Sequence, residues 1–218
     1  MFYPIKNKLA VVAIMTGFAI CQAASAATMN FDSQAAGTEA KMDPVAISMG
    51  ITFDNAALLP NLDADGIAIP GSEHWQIDST TNELVTAENT SAQGYGVAPS
   101  GQNALDARWS PILMHFNSAI NLANFSVTLP NSTYGNLAQV DILFFDNTGA
   151  TLFDLGYFQG QPLATISLNS KLNGVKDILL PSGTFYDNIS VAAVPVPSAL
   201  WLFGSAVLGM AGLRRRKV

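Results

Sequence analysis

Cysteine is almost missing: the 218-residue chain has one, Cys21. It precedes residue 27, so neither a disulfide framework nor a thiol nucleophile is available to residues 27–218. Histidine is scarce too, with only His74 and His115. There is no Gly-x-Ser-x-Gly elbow and no His-Glu-x-x-His pair, which removes the common short signatures of serine hydrolases and zinc proteases. Basic residues are few and lie mostly at the ends: Lys6 and Lys8 at the start, Arg214, Arg215, Arg216 and Lys217 at the finish. Between them only Lys41, Arg108, Lys171 and Lys176 stand against sixteen acids, and four minus sixteen is −12. Such a charge repels phosphate backbones, so nucleic acid is not an expected partner.

Long apolar runs occur only at the two ends. Lys6 and Lys8 precede an apolar stretch from Leu9 to Ile20, and Ala24-Ser25-Ala26 comes after it as an A-x-A site. That order reads as a secretory signal peptide, residues 1–26, with cleavage after Ala26 and Ala27 as the neighbouring choice. A lipobox would need a small residue before Cys21, and Ile20 stands there. At the other end, residues 194–218 begin with Val194-Pro195-Val196-Pro197, continue uncharged to Leu213 and close on Arg214 to Lys217. A helix of about 20 apolar residues spans a bilayer core. The basic cluster would then stay cytoplasmic, leaving residues 27–193 on the far side. The two prolines disfavour extending that helix upstream, so the chain should enter the membrane from an extended segment.

The tail, with Ser198-Ala199-Leu200-Trp201-Leu202-Phe203-Gly204-Ser205 after the prolines, resembles the PEP-CTERM sorting signal of Gram-negative bacteria. It departs from the usual motif at Val196, where glutamate is common. The resemblance implies recognition of Val194, Pro195, Val196, Pro197 and the Arg214, Arg215, Arg216, Lys217 cluster by an exosortase, a membrane protease or transpeptidase. It also implies export, a membrane tether before processing, and delivery to the cell surface or an exopolysaccharide matrix.

Residues 27–193 are enough for one domain. Their main signal is period-two alternation, in Ile47 to Asp54, Phe125 to Leu129, Ala164 to Leu168 and Phe185 to Val191. Val140 to Phe145, the turn Asp146-Asn147-Thr148-Gly149 and Thr151 to Leu155 read as a hairpin. The expected fold is therefore all-β, an antiparallel sandwich of jelly-roll type, flanked by a signal helix and a C-terminal transmembrane helix. Asn55 to Ser110 is expected to hold long connections with two or three short strands. Three words, Phe31-Asp32-Ser33, Ser100 to Leu105 and Tyr186 to Val191, resemble those of carbohydrate-binding jelly rolls.

The candidate chemistry is modest. Asn61-x-Asp63-x-Asp65-Gly66 places oxygen side chains at alternate positions before a glycine, like the first half of a calcium loop. It departs from that pattern at Ser72, where the closing glutamate would stand, and a solvated turn is the alternative. The jelly-roll resemblance implies a second calcium site where the first and last strands meet, at Asp32, Asp187 and Asn188. Sugar binding would use loop aromatics, for which Trp75, Trp109, Tyr95 and Tyr134 are the candidates. The expected role is a non-catalytic surface or matrix protein associated with extracellular polysaccharide, and the alternative is a small secreted hydrolase.

Overall fold

The computed structural model describes residues 26–80, 84–92, 96–130, 139–159 and 164–194. Residues 1–25 of the signal segment and the tail beyond Val194, including the expected transmembrane helix, lie outside the described residues. Residues 24–195 form one compact unit, and every strand pairing in it is antiparallel.

The chain begins with β1 (Ala26–Met29) and β2 (Thr38–Glu39), then a short helix α1 (Pro44–Met49) before β3 (Ile51–Leu59). Three short strands come next, β4 (His74–Ile77), β5 (Thr86–Asn89) and β6 (Asn103–Ala107). The long β7 (Ile112–Thr128) leads to β8 (Gln139–Phe145), β9 (Thr151–Gln159), β10 (Thr165–Leu168), β11 (Leu172–Leu180) and β12 (Thr184–Ala193).

β7 is the hinge of the architecture. Its first residues lie between β3 and β11, with Phe53 opposite Met114 and Leu180 opposite Ile112. Its last residues lie between β12 and β10, with Val191 and Leu168 both opposite Phe125. Asn117, Ser118 and Ala119 between these halves are exposed, and one strand thereby serves two layers. The layers face each other: Phe125 meets Phe144 of β8 edge-on at 5.4 Å, and Phe31 meets Phe53 at 5.9 Å. One shared core holds Met114, Phe116, Ile142, Ile178, Ile189 and Val191. This is a β-sandwich closed on apolar side chains from both layers.

Period-two alternation marks the strands where one face is buried, and it misleads at Ile47 and Met49. Those residues belong to α1, not to a strand. The local signals for a helix outweigh the alternation: Asp43 Oδ1 accepts from the backbone N–H of Val45 and Ala46, Pro44 takes the first turn, and Gly50 ends the helix at φ 64°. Ile47 consequently points to solvent. Removing the cap by Asp43→Ala is expected to cost about 1 kcal/mol, read as a lowered melting temperature.

Candidate functional site

The three sequence words meet in space although they are far apart in the chain. Past β1 the backbone turns at Phe31, whose φ is 59°, and brings Asp32 under the loop that enters β6. Asp32 Oδ1 accepts from the backbone N–H groups of Gln102 and Asn103 at 2.8 and 3.1 Å. Asn103, itself buried, donates its side-chain amide to the carbonyl of Gln34 at 2.8 Å. From β12, Asp187 Oδ2 accepts from Ser100 N at 2.8 Å and Ser100 Oγ at 2.9 Å, while its Oδ1 accepts from Asn188 N at 2.6 Å. Asn188 stands at φ 48°, where β12 slips register against β7. The single loop Ser100–Asn103 is thus held by a carboxylate from each end of the domain.

Gly101 is required at the centre of this loop. Its φ is 46°, and a Cβ there would lie 2.1 Å from the Asp32 carboxylate. Asp187 is fully buried. Burial pushes its carboxyl up to about 6, aided by the negative charge of Asp32 and opposed by the N–H and O–H bonds from Ser100 and Asn188. A polar cleft beside the loop is lined by Asp32, Gln34, Asn89, Gln102 and Asn103.

A divalent cation here would be held by Asp32 and Asp187, whose oxygens Asp187 Oδ1, Asp187 Oδ2 and Asp32 Oδ1 already accept hydrogen bonds. Asn188 gives Asp187 its backbone N–H. Among the described residues no group of three or more His, Cys, Asp or Glu is assembled for a metal. The other acidic word forms a hairpin tip: Asp63 Oδ1 accepts from the N–H groups of Asp65 and Ile67, and Ser72 Oγ accepts from Asn61 N.

The remaining candidates separate clearly. Trp75, expected in a loop, is in β4 and packs with Leu143 against Leu113, Phe145 and Leu179. His74 opens that same strand. His115 Nδ1 meets Asp177 Oδ1 at 2.5 Å across β7 and β11, and burial raises the Asp177 carboxyl above its usual range. Trp109 stands out to solvent at 79 % exposure. Tyr95 and Tyr134 lie outside the described residues, as do Ala24 and the sorting residues after Val194. Ala26, the other end of the A-x-A site, is the first residue of β1 and pairs with Ala192.

Sequence reading assigned Ser100, Gly101 and Asn103 no chemistry. The polar word Ser100-Gly101-Gln102-Asn103, small and amide-rich before an alternating strand, was the available signal. It missed the Asp106–Arg108 pair as well, which forms where the chain leaves β6 and in which Asp106 Oδ1 also accepts the backbone N–H of Arg108.

No curated protein matches the chain. Among solved structures it is similar to the K2 cleaved adhesin domain of Lys-gingipain, at 10% identity and a TM-score of 0.41, over 78% of this chain and 99% of that one. Residues 193–217 match the family model described as the PEP-CTERM protein-sorting motif, one residue earlier at each end than the sequence boundaries. The last strand of the sandwich therefore runs directly into a tail of known type, and this chain carries a PEP-CTERM protein-sorting motif, the mark of an exported, surface-sorted protein.

Proposed function

We propose that this chain is an exosortase substrate, tethered in the inner membrane by its C-terminal helix and then delivered to the cell surface or exopolysaccharide matrix as a non-catalytic, glycan-associated β-sandwich. The observation that carries the reading is the sorting motif at residues 193–217. The body supports it by geometry. Ala26 is the register partner of Ala192, and Val194 N is held by Asn121 O at 2.6 Å. The two segments expected to meet the membrane therefore leave the sandwich from one pole. Calcium is the cation that Asp32 and Asp187 would take.

The test is the intact mass of the protein from wild-type and exosortase-deficient cells, joined to the Pro195→Ala, Pro197→Ala double variant. Wild-type protein should lack both ends, and the deficient strain and the double variant should accumulate membrane-bound precursor with the signal peptide removed. Unchanged release from the double variant would reduce the tail to an anchor.

The hydrolase reading has one observation in its favour, the His115–Asp177 pair, the kind of contact that joins base and orienter in a triad. Among the described hydrogen bonds no hydroxyl reaches His115. Ester or glycoside turnover lost in His115→Ala would establish that reading.

A further inference from the structure

Trp109 is the most exposed of the large apolar side chains among the described residues, at 79 %. It stands two residues beyond Ala107, the end of β6, which pairs with Thr184 at the start of β12. β12 runs ten residues from there to Ala193, about 30 Å at about 3.3 Å per residue. The indole thus sits at the pole of the sandwich opposite Val194.

The ring has a built support. The Arg108 guanidinium lies 5.7 Å from the Trp109 centroid and 4.9 Å from that of buried Phe185. It is fixed by two bonds to Asp106, Nε to Oδ1 at 2.9 Å and Nη2 to Oδ2 at 2.7 Å. The pair is largely shielded, and Asp106 cancels the arginine's charge.

We propose that Trp109 is a stacking platform for the pyranose face of a neutral polysaccharide. A hexose ring offers a flat C–H face about the size of the indole, edged by hydroxyls, and a rigid aromatic with a polar collar is its complement. Here the polar edge is the Arg108 guanidinium, 5.7 Å from the ring centroid. The charge excludes the nearest competitor, an acidic polymer: Arg108 is neutralised in place, and residues 27–193 carry four bases against sixteen acids. Insertion of the ring in a bilayer is the alternative that the vesicle measurement below separates. Tryptophan beside arginine is also common in protein interfaces, and association with a second copy is the outcome that light scattering below separates. The proposal rests on the surface reading above for the presence of polysaccharide, but its test is made on purified protein and does not depend on tail processing.

The experiment is native electrophoresis of the full chain in detergent through gels containing dextran, a soluble β-1,3-glucan or a galactomannan. Wild-type protein should be retarded by at least one of them. Trp109→Ala should weaken that affinity about tenfold with an unchanged melting temperature, and Trp109→Tyr should restore most of it. Retardation of Trp109→Ala equal to wild type, or no retardation of wild type by any of these polymers, would overturn the proposal. So would Trp109 emission, taken as the difference from Trp109→Tyr, that becomes shielded from acrylamide once the chain is in phosphatidylcholine vesicles, since that assigns the ring to lipid. A mass twice the monomer by light scattering, abolished by Trp109→Ala, would assign it to a second copy and overturn it equally.

Discussion

Gly101→Ala is expected to be the most damaging single-methyl change in the described body, costing about 3 to 5 kcal/mol of folding stability. The new methyl would coincide with the Asp32 carboxylate, 2.1 Å away. That carboxylate cannot simply swing aside, because it is bonded to Gln102 N and Asn103 N. Moving it leaves two backbone donors without their charged acceptor while the backbone remains at a φ that favours glycine. Gly66→Ala is the control. It also has positive φ, 78°, but nothing lies within 4 Å of its added Cβ, so about 1 kcal/mol is expected. Chemical denaturation of both variants, and of Gly101→Ala combined with Asp32→Ala, measures the clash as a coupling energy. Equal costs for the two glycines would show that the Asp32 contact exerts no constraint.

Stability should also fall as pH rises through the range set by Asp187. The carboxyl has its ordinary value of 3.8 in the unfolded chain and about 6 in the folded one. Below about pH 4 both states hold the proton and no penalty applies. Between these values the folded state keeps a proton that the unfolded state has released, so raising the pH favours unfolding. Above about pH 6 the buried charge is present in full, a loss of about 3 kcal/mol relative to acid conditions. The difference between wild type and Asp187→Asn, which cannot ionise, isolates this contribution from the other acids. Millimolar calcium should remove the slope if the cation replaces the proton, and Asp187→Asn should then lose the effect. A wild-type melting temperature indifferent to calcium at pH 7 would leave the pair as a clamp on the Ser100–Asn103 loop.

The readable parts of this fold were those whose chemistry is local. The β8–β9 hairpin announces itself because Asp146 Oδ1 caps its own turn at Thr148 N and Ala150 N, and Gly149 supplies φ 81°. β12 alternates over its middle, where Asp187, Ile189 and Val191 are buried and Asn188 and Ser190 less so, although Phe185 and Tyr186 are both buried. β7 was visible only in its second half, since exposed Asn117-Ser118-Ala119 looks like a turn when the layer change it makes is unknown. α1 was hidden because six residues give no helical period, and its caps carry the information instead. The resemblance named Asp32, Asp187 and Asn188, yet the partner loop is about 70 to 87 residues away in sequence, and no local pattern ties it to them. Trp75 and Trp109 are alike as letters. Only packing tells the cluster-covering one from the one left in water.

The pairing of β12 with β1, β6 and β7 sets the order in which this protein can be completed. A chain exported from its amino end delivers β12 last, yet β12 is the inner strand that β1, β6 and the second half of β7 pair with. Until residue 193 has crossed, β1 and β6 have no partner at that position, and buried Tyr186, Ile189 and Val191 are missing from the core. On the proposed export route, the sandwich would gain its last inner strand only as the sorting motif reaches the membrane, so an exosortase would meet the motif on a body whose β12 has just become available to pair.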